Sequence, residues 1–352
     1  MSAPVPPKTA VGEAVPARFL AVLVIVVAFA LALPEFANRG LVFLAGIVAI
    51  NAVFGMAFNL LFSTVGILSF GQAAFFAAGA YTVAVFSLRL AEMPFLIALA
   101  MGGVVGGLIA LVIGILALRR TTGVYFAVLT LAFGELLHIV IARTTFLGRN
   151  DGLPGIERPT IGLGPLSVDL SPGDAYYYFI VLACAVLFCV LWWLNFSALG
   201  RSFQAVRQDP TRAAFLGIDV HGRRLLGFTL AGAVTGVAGG IFAPWTQIAT
   251  PELAHWSQSA NPILFTLLGG AAFFWGPLVG AILFSAIAWF LRAYTGATDL
   301  VTGALLLAVV LAVPGGVLGL LSAVGRRILP RRAAPVAPAG APTPAPATEE
   351  AR

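Results

Sequence analysis

Ten apolar runs follow one another through this chain: Phe19–Leu33, Leu41–Phe62, Gly66–Leu88, Pro94–Leu118, Val124–Ala142, Ala175–Phe196, Leu225–Ile248, Ala260–Phe274, Pro277–Leu291 and Leu300–Leu321. A helix that crosses a bilayer takes about 20 mostly apolar residues. The fold class this predicts is all-α: a polytopic membrane helix bundle of about ten transmembrane segments, the shortest runs being candidates for half-helices or re-entrant segments. Composition supports lipid as the solvent. Charged residues make up 10% of the chain and hydrophobic ones 60%, whereas a soluble domain carries about 25% charged residues. The net charge of +6 does not indicate nucleic acid, because the arginines sit between apolar runs and at the ends, without a basic-aromatic face.

The basic residues also predict orientation. With a cytoplasmic N-terminus, 14 of the 20 Lys and Arg fall on inside segments and 6 outside, which is the bias expected of inner-membrane proteins. Both termini are therefore expected inside. The proline-rich segment 1–17 and the Ala/Pro tail 323–352 lack apolar material for a core and are expected to be disordered, leaving 18–322 as the transmembrane domain. Phe19–Phe29 followed by Ala30, Leu31 and Ala32 has the form of a signal peptide, but it is read as a retained first span. Two loops are long: an outside one at 144–174, rich in Gly and Pro, and an inside one at 197–224, with five arginines.

Small residues recur at helix-contact spacing in Gly232/Gly236/Gly240, Gly102/Gly106, Gly103/Gly107 and Gly276/Gly280. That pattern lets helix backbones approach closely in lipid. Cys184 and Cys189 are five apart on one run and point in different directions, and His138, His221 and His255 lie in separate segments. No disulfide or metal site is expected from them.

Polar groups inside apolar runs need an internal partner or a water path. Ser69, Gly71 and Gln72 sit in one such run, Thr130 and Glu135 in another. These five are the candidate substrate-pathway residues. For Ser69 and Thr130 the competing reading is hydrogen bonding to their own helix backbone. Glu135 and His138 share a helix face, which suits a proton relay in a secondary transporter or a structural pair. On the inside loop, Asp209 can cap a helix opened by Pro210 and closed by Gly217. Such a helix would show Ala213, Ala214 and Leu216, a form suited to docking in a cytosolic cleft, although an ordinary basic loop would also fit. Arg149–Gly155 is a turn-rich outside segment. No Walker loop, nucleophile elbow or catalytic triad occurs, so the chain is expected not to be an enzyme.

Taken together, these segments resemble the LivH/LivM-type permeases of branched-chain amino-acid ABC importers. The resemblance rests on the stretch Gly66–Tyr81, on Thr121–Glu135 with Asn150, Asp151 and Gly152 (the LivM side), on Gly200 to Gly217, and on Leu268–Gly270, Trp275–Ala281 and Pro314–Gly319. It implies a permease in the bacterial inner membrane. The implied partners are a second LivH-like permease, two cytosolic ATP-binding subunits and a periplasmic substrate-binding protein, with ATP bound by the partner subunits and no cofactor here. It further implies ATPase contact through Arg201, Ala205, Arg207, Asp209, Ala213, Ala214, Leu216 and Gly217, and an outer mouth at Asn150, Asp151 and Gly152. The sequence departs from the family's Thr-Gly-Gly run before that mouth, reading Leu147, Gly148, Arg149. The wider family is similar to permeases for urea, amides and aromatic acids.

Overall fold

The computed structural model describes residues 14–90, 93–119, 121, 123–163, 166–292, 303 and 315–328. Nine of the ten expected runs are helices. They are α1 (Ala14–Phe36), α2 (Arg39–Asn59), α3 (Gln72–Arg89), α4 (Phe95–Leu118), α5 (Val124–Arg143), α6 (Gly173–Phe196), α9 (Val220–Thr246), α10 (Trp256–Gly269) and α11 (Gly276–Arg292). The short helices α7 (Ala198–Gln208) and α8 (Pro210–Phe215) occupy the inside loop, and α12 spans Gly316–Ile328. Among the described residues, six helices are long and apolar enough to cross a membrane. The rest of the expected tenth run, 300–302 and 304–314, lies outside the described residues, as do 1–13 and 329–352. Helix α12 runs on to Ile328.

The core is a three-helix crossing of α3, α4 and α9. A Cβ on Gly79 would stand 1.8 Å from the Gly236 carbonyl oxygen, and one on Gly236 would stand 2.5 Å from that of Gly102. The small-residue spacing read from sequence is thus a backbone-to-backbone seam. Helix α2 packs on its flank, and α10 and α11 form a second close pair. Aromatic side chains close one end of the bundle. Trp245 Nε1 donates to the Phe43 carbonyl at 3.1 Å, Tyr176 Oη to that of Ile241 at 3.0 Å, and Tyr177 Oη to that of Ala30 at 2.9 Å.

That end also carries the long loop 144–172 and is called the outer face below, after the charge bias. Its residues form a cap. Strand β1 (Leu153–Pro154) pairs antiparallel with β4 (Ile248–Ala249), and β2 (Thr160–Leu163) forms a hairpin with β3 (Leu166–Asp169). Arg158 reaches over the Trp245 ring at 5.4 Å, and Arg89 lies over that of Phe146 at 4.0 Å. Both cysteines are free.

Between the apolar runs Leu41–Phe62 and Gly66–Leu88 the chain could either turn or break within one helix. Helix α2 continues through a π-helical segment, Leu60–Val65, and stops at Gly66, whose φ of 83° is left-handed. The chain then runs without helix to Gly71. Because α2 begins beside Trp245 and α3 ends beside Phe146, both on the outer side, residues 66–71 join two antiparallel helices. The uninterrupted span expected from Gly66 is therefore shorter, starting at Gln72.

Candidate functional site

The non-helical stretch 66–71 leaves the first amide groups of α3 without intrahelical acceptors. They are buried, so each needs a partner. The Thr130 hydroxyl on α5 accepts from the Phe70 N–H at 3.1 Å and donates to the Ala127 carbonyl at 2.8 Å. Ser69 Oγ accepts from the Gly71 N–H at 3.2 Å, and Ser259 Oγ on α10 accepts from the Ala73 N–H at 2.9 Å. Gln72 Oε1 accepts from the Thr235 hydroxyl on α9 at 3.1 Å. Gly71 is required by contact, since a Cβ there would meet the Thr130 carbonyl oxygen at 2.7 Å.

Four of the five expected pathway residues are therefore together. Ser69, Gly71, Gln72 and Thr130 are buried within this chain. Ser69 and Thr130 accept from amides at the start of α3, Gln72 ties α3 to α9, and Ser259 ties it to α10. Thr130→Val and Ser259→Ala should each cost about 1–2 kcal/mol by orphaning a buried amide. A drop in the thermal midpoint in detergent for each variant would check this. Ser259 had no sequence signal, because its contact with Ala73 exists only through tertiary packing.

Glu135 differs from the other four. It is half-buried, and its Oε2 has no hydrogen-bond partner. It is not bonded to His138, whose Nδ1 lies 2.9 Å from the Pro251 carbonyl oxygen and whose ring packs edge-on against His255 at 5.2 Å. The helix-face pairing of Glu135 with His138 is thus not a hydrogen-bonded relay here.

On the inner side, α7 is amphipathic. Gly200, Phe203 and Val206 are buried, and α7 packs on the π-helical end of α2, on α6 and on α9. Arg207 donates to the Ser63 carbonyl oxygen and packs on Gly66. Partial burial lowers the pKa of its guanidinium below the usual arginine value. Thr64 Oγ1 donates to Asn195 Oδ1 at 2.6 Å, joining α2 to α6 at the same level.

Helix α8 has the predicted ends. Asp209 Oδ1 accepts from the Arg212 N–H at 3.0 Å. Gly217 takes φ 79°, and the Ile218 N–H bonds the Ala213 carbonyl at 3.1 Å, a Schellman closure. The displayed face differs from expectation. Ala213 is buried at 2% exposure, whereas Phe215 at 89% and Leu216 at 75% stand clear of the protein. Arg201 and Ala214 are exposed, and Ala205 and Asp209 are half-buried. Sequence reading passed over Phe215, although it flanks Leu216.

At the outer face, Asn150 and Asp151 are exposed and Gly152 is buried against Ala249, whose carbonyl oxygen a Cβ would meet at 2.2 Å. Arg149 holds φ 52°, a left-handed conformation that favours glycine. Its Nη2 donates to Thr145 Oγ1 at 3.2 Å. The backbone thus keeps the turn that a glycine would form most easily.

A family model described as the permease component of the branched-chain amino acid transport system matches residues 40–313. The LivM permease protein of a high-affinity branched-chain amino acid transport system in Salmonella typhimurium is 27% identical over 319 residues, covering 85% of this chain and 74% of that protein. The LivH permease protein of the system of the same name in Escherichia coli is 27% identical over 128 residues, covering 36% of this chain and 41% of its own length. The autoinducer 2 import permease LsrC of an Enterobacter species is 28% identical over 281 residues, covering 75% and 74%. No solved structure matches.

Proposed function

Because this chain belongs to the family of branched-chain amino acid transport permease components, we propose that it is the LivM-type subunit of an importer for branched-chain amino acids or a similar small polar solute. It is a multi-pass membrane permease of the ABC importer class. On this reading it pairs with a LivH-like permease. Two cytosolic subunits bind and hydrolyse ATP, a periplasmic protein delivers cargo to the outer face, and the chain holds no cofactor of its own.

The observation that carries this is the α7–α8 unit. Helix α7 is seated in the bundle through Phe203, Val206 and Arg207, and α8 is presented beyond it with Phe215 and Leu216 bare. Two adjacent exposed apolar side chains on a short, doubly capped helix suit insertion into a groove of a cytosolic protein. Movement of that protein would reach the membrane helices through α7, which touches α2, α6 and α9. Arg201, Ala205, Arg207, Asp209, Ala213, Ala214 and Gly217 support this contact by basic flanks and by holding α8 in shape. Asn150, Asp151 and Gly152 would form part of the surface that meets the binding protein.

Reconstitution tests the assignment. Vesicles with this chain, the second permease, both ATPases and the binding protein should accumulate cargo when ATP is supplied, and vesicles with this chain alone should not. Accumulation by the lone chain would overturn the proposal. So would uptake that survives ATP depletion and collapses with a protonophore.

A further inference from the structure

Three pieces of backbone and side chain break membrane rules on one side of the molecule. After α9 ends at Thr246, the chain turns back into the bundle through a 3-10 turn, Pro251–Ala254, that packs on α3 and α5. Helix α10 therefore starts inside the bundle. Its Ser259 bonds Ala73, which lies about 24 Å along α3 from Arg89 at about 1.5 Å per residue. Ser257, Gln258 and Asn261 are thus at membrane depth.

Ser257 is exposed, its hydroxyl 2.9 Å from His255 Nδ1, and Gln258 and Asn261 are half-buried, while Ser259, Pro262, Phe265 and Thr266 form the covered stripe of α10. Asn261 Nδ2 donates to Gln258 Oε1 at 2.8 Å, which leaves most of the hydrogen-bonding capacity of both amides unused. Pro262 has no N–H, so the Gln258 carbonyl lacks its helical donor. Helix α5 lies alongside. Its Glu135 sits about 12 Å from the outer end and about 16 Å from the inner end of α5, with Oε2 unpartnered.

Non-helical backbone and unpaired polar groups are tolerated at this depth only against protein or along water. We propose that the α5–α10 face is the wall of the conduit, closed by the second permease rather than by lipid. Glu135, Ser257, Gln258 and Asn261 are its cargo-facing groups. The inference rests on the pairing put forward under Proposed function. The occupant is a related permease chain, since Escherichia coli has two separately named permease proteins, LivM and LivH, of its high-affinity branched-chain amino acid transport system, and this chain matches both. The chemistry recognised is a small solute with N–H donors: one carboxylate and two amides can take an ammonium or amide group, and the amides can also donate to its carboxylate or carbonyl.

The test uses the assembled importer in a Cys184→Ala, Cys189→Ala background, with single cysteines at Asn261 or at the outward-facing Leu182 of α6. During turnover, a water-soluble, membrane-impermeant thiol reagent should label Asn261→Cys faster than Leu182→Cys by an order of magnitude, and cargo should slow it. A photo-crosslinking side chain at 261 should give an adduct with the second permease. Asn261→Leu, which lipid would accommodate better than asparagine, should lower uptake at unchanged assembly. If the second permease co-purifies but Asn261→Cys labels like Leu182→Cys, the crosslink goes to lipid and Asn261→Leu transports normally, the face is lipid-exposed and this inference fails alone. If no second permease co-purifies with active importer, the pairing itself fails and the inference falls with it.

Discussion

A Leu216→Asp permease should insert, fold and pair normally, yet import little. Leu216 and Phe215 touch almost nothing in their own chain, so a charge at 216 leaves the bundle intact. The cost appears only when α8 enters its groove, where an unpaired carboxylate must be desolvated. Central anchors of this kind contribute about 2–4 kcal/mol to an interface, which is roughly a 30- to 700-fold loss of ATPase affinity at about 1.4 kcal/mol per tenfold. The paired measurements are uptake in vesicles and co-purification of the ATPases on the same preparation. Wild-type uptake with Leu216→Asp would remove α8 from the coupling surface. Phe215→Ala should reproduce the effect with a smaller loss, because truncation adds no charge.

The second large effect lies at the crossing of α3, α4 and α9. Gly79→Val must push a side chain into the backbone of Gly236, where a Cβ would already stand 1.8 Å from the carbonyl oxygen. The obstacle is main chain at the packed centre of the bundle, so no rotamer change relieves it. Overpacking of a tight core costs about 1–3 kcal/mol and occasionally more; here at least about 3 kcal/mol is expected, because two helices must separate. Thermal denaturation and size-exclusion profiles in detergent would report it as a lower midpoint and aggregated protein. Gly40→Ala is the matched control. Its Cβ would meet only Asn38 Oδ1, at 3.6 Å, and should change stability by less than about 0.5 kcal/mol.

These two variants separate two roles that glycine-rich and apolar patterns leave mixed. One acts within the chain, by letting backbones touch. The other acts between chains, by leaving side chains bare. A transport defect from Gly79→Val should come with loss of protein, and one from Leu216→Asp should come without it.

Much of the architecture was legible because it depends on local chemistry. Apolar runs of bilayer length must become helices, since lipid offers no other partner for the backbone. Asp209, Pro210 and Gly217 mark the ends of α8 because a cap, a fixed φ and a left-handed residue are each set by one residue's covalent structure. The every-fourth glycines declared close packing for the same reason. What required the folded chain was the choice of partner. Ser69 and Thr130 read equally well as pathway groups or as bonded to helix backbone; the partners they and Gln72 take were visible only once packing brought α5, α9 and α10 to the start of α3. Ala213 and Leu216 looked alike as exposed apolar residues until α8 lay down on one side. Gln258 just before the short apolar run Ala260–Phe274 and Asn261 within it gained significance only when the re-entrant turn placed them, half-buried, at membrane depth. Hydrogen-bond partners, exposure and depth are relations between distant segments, so they exist only once the chain has folded.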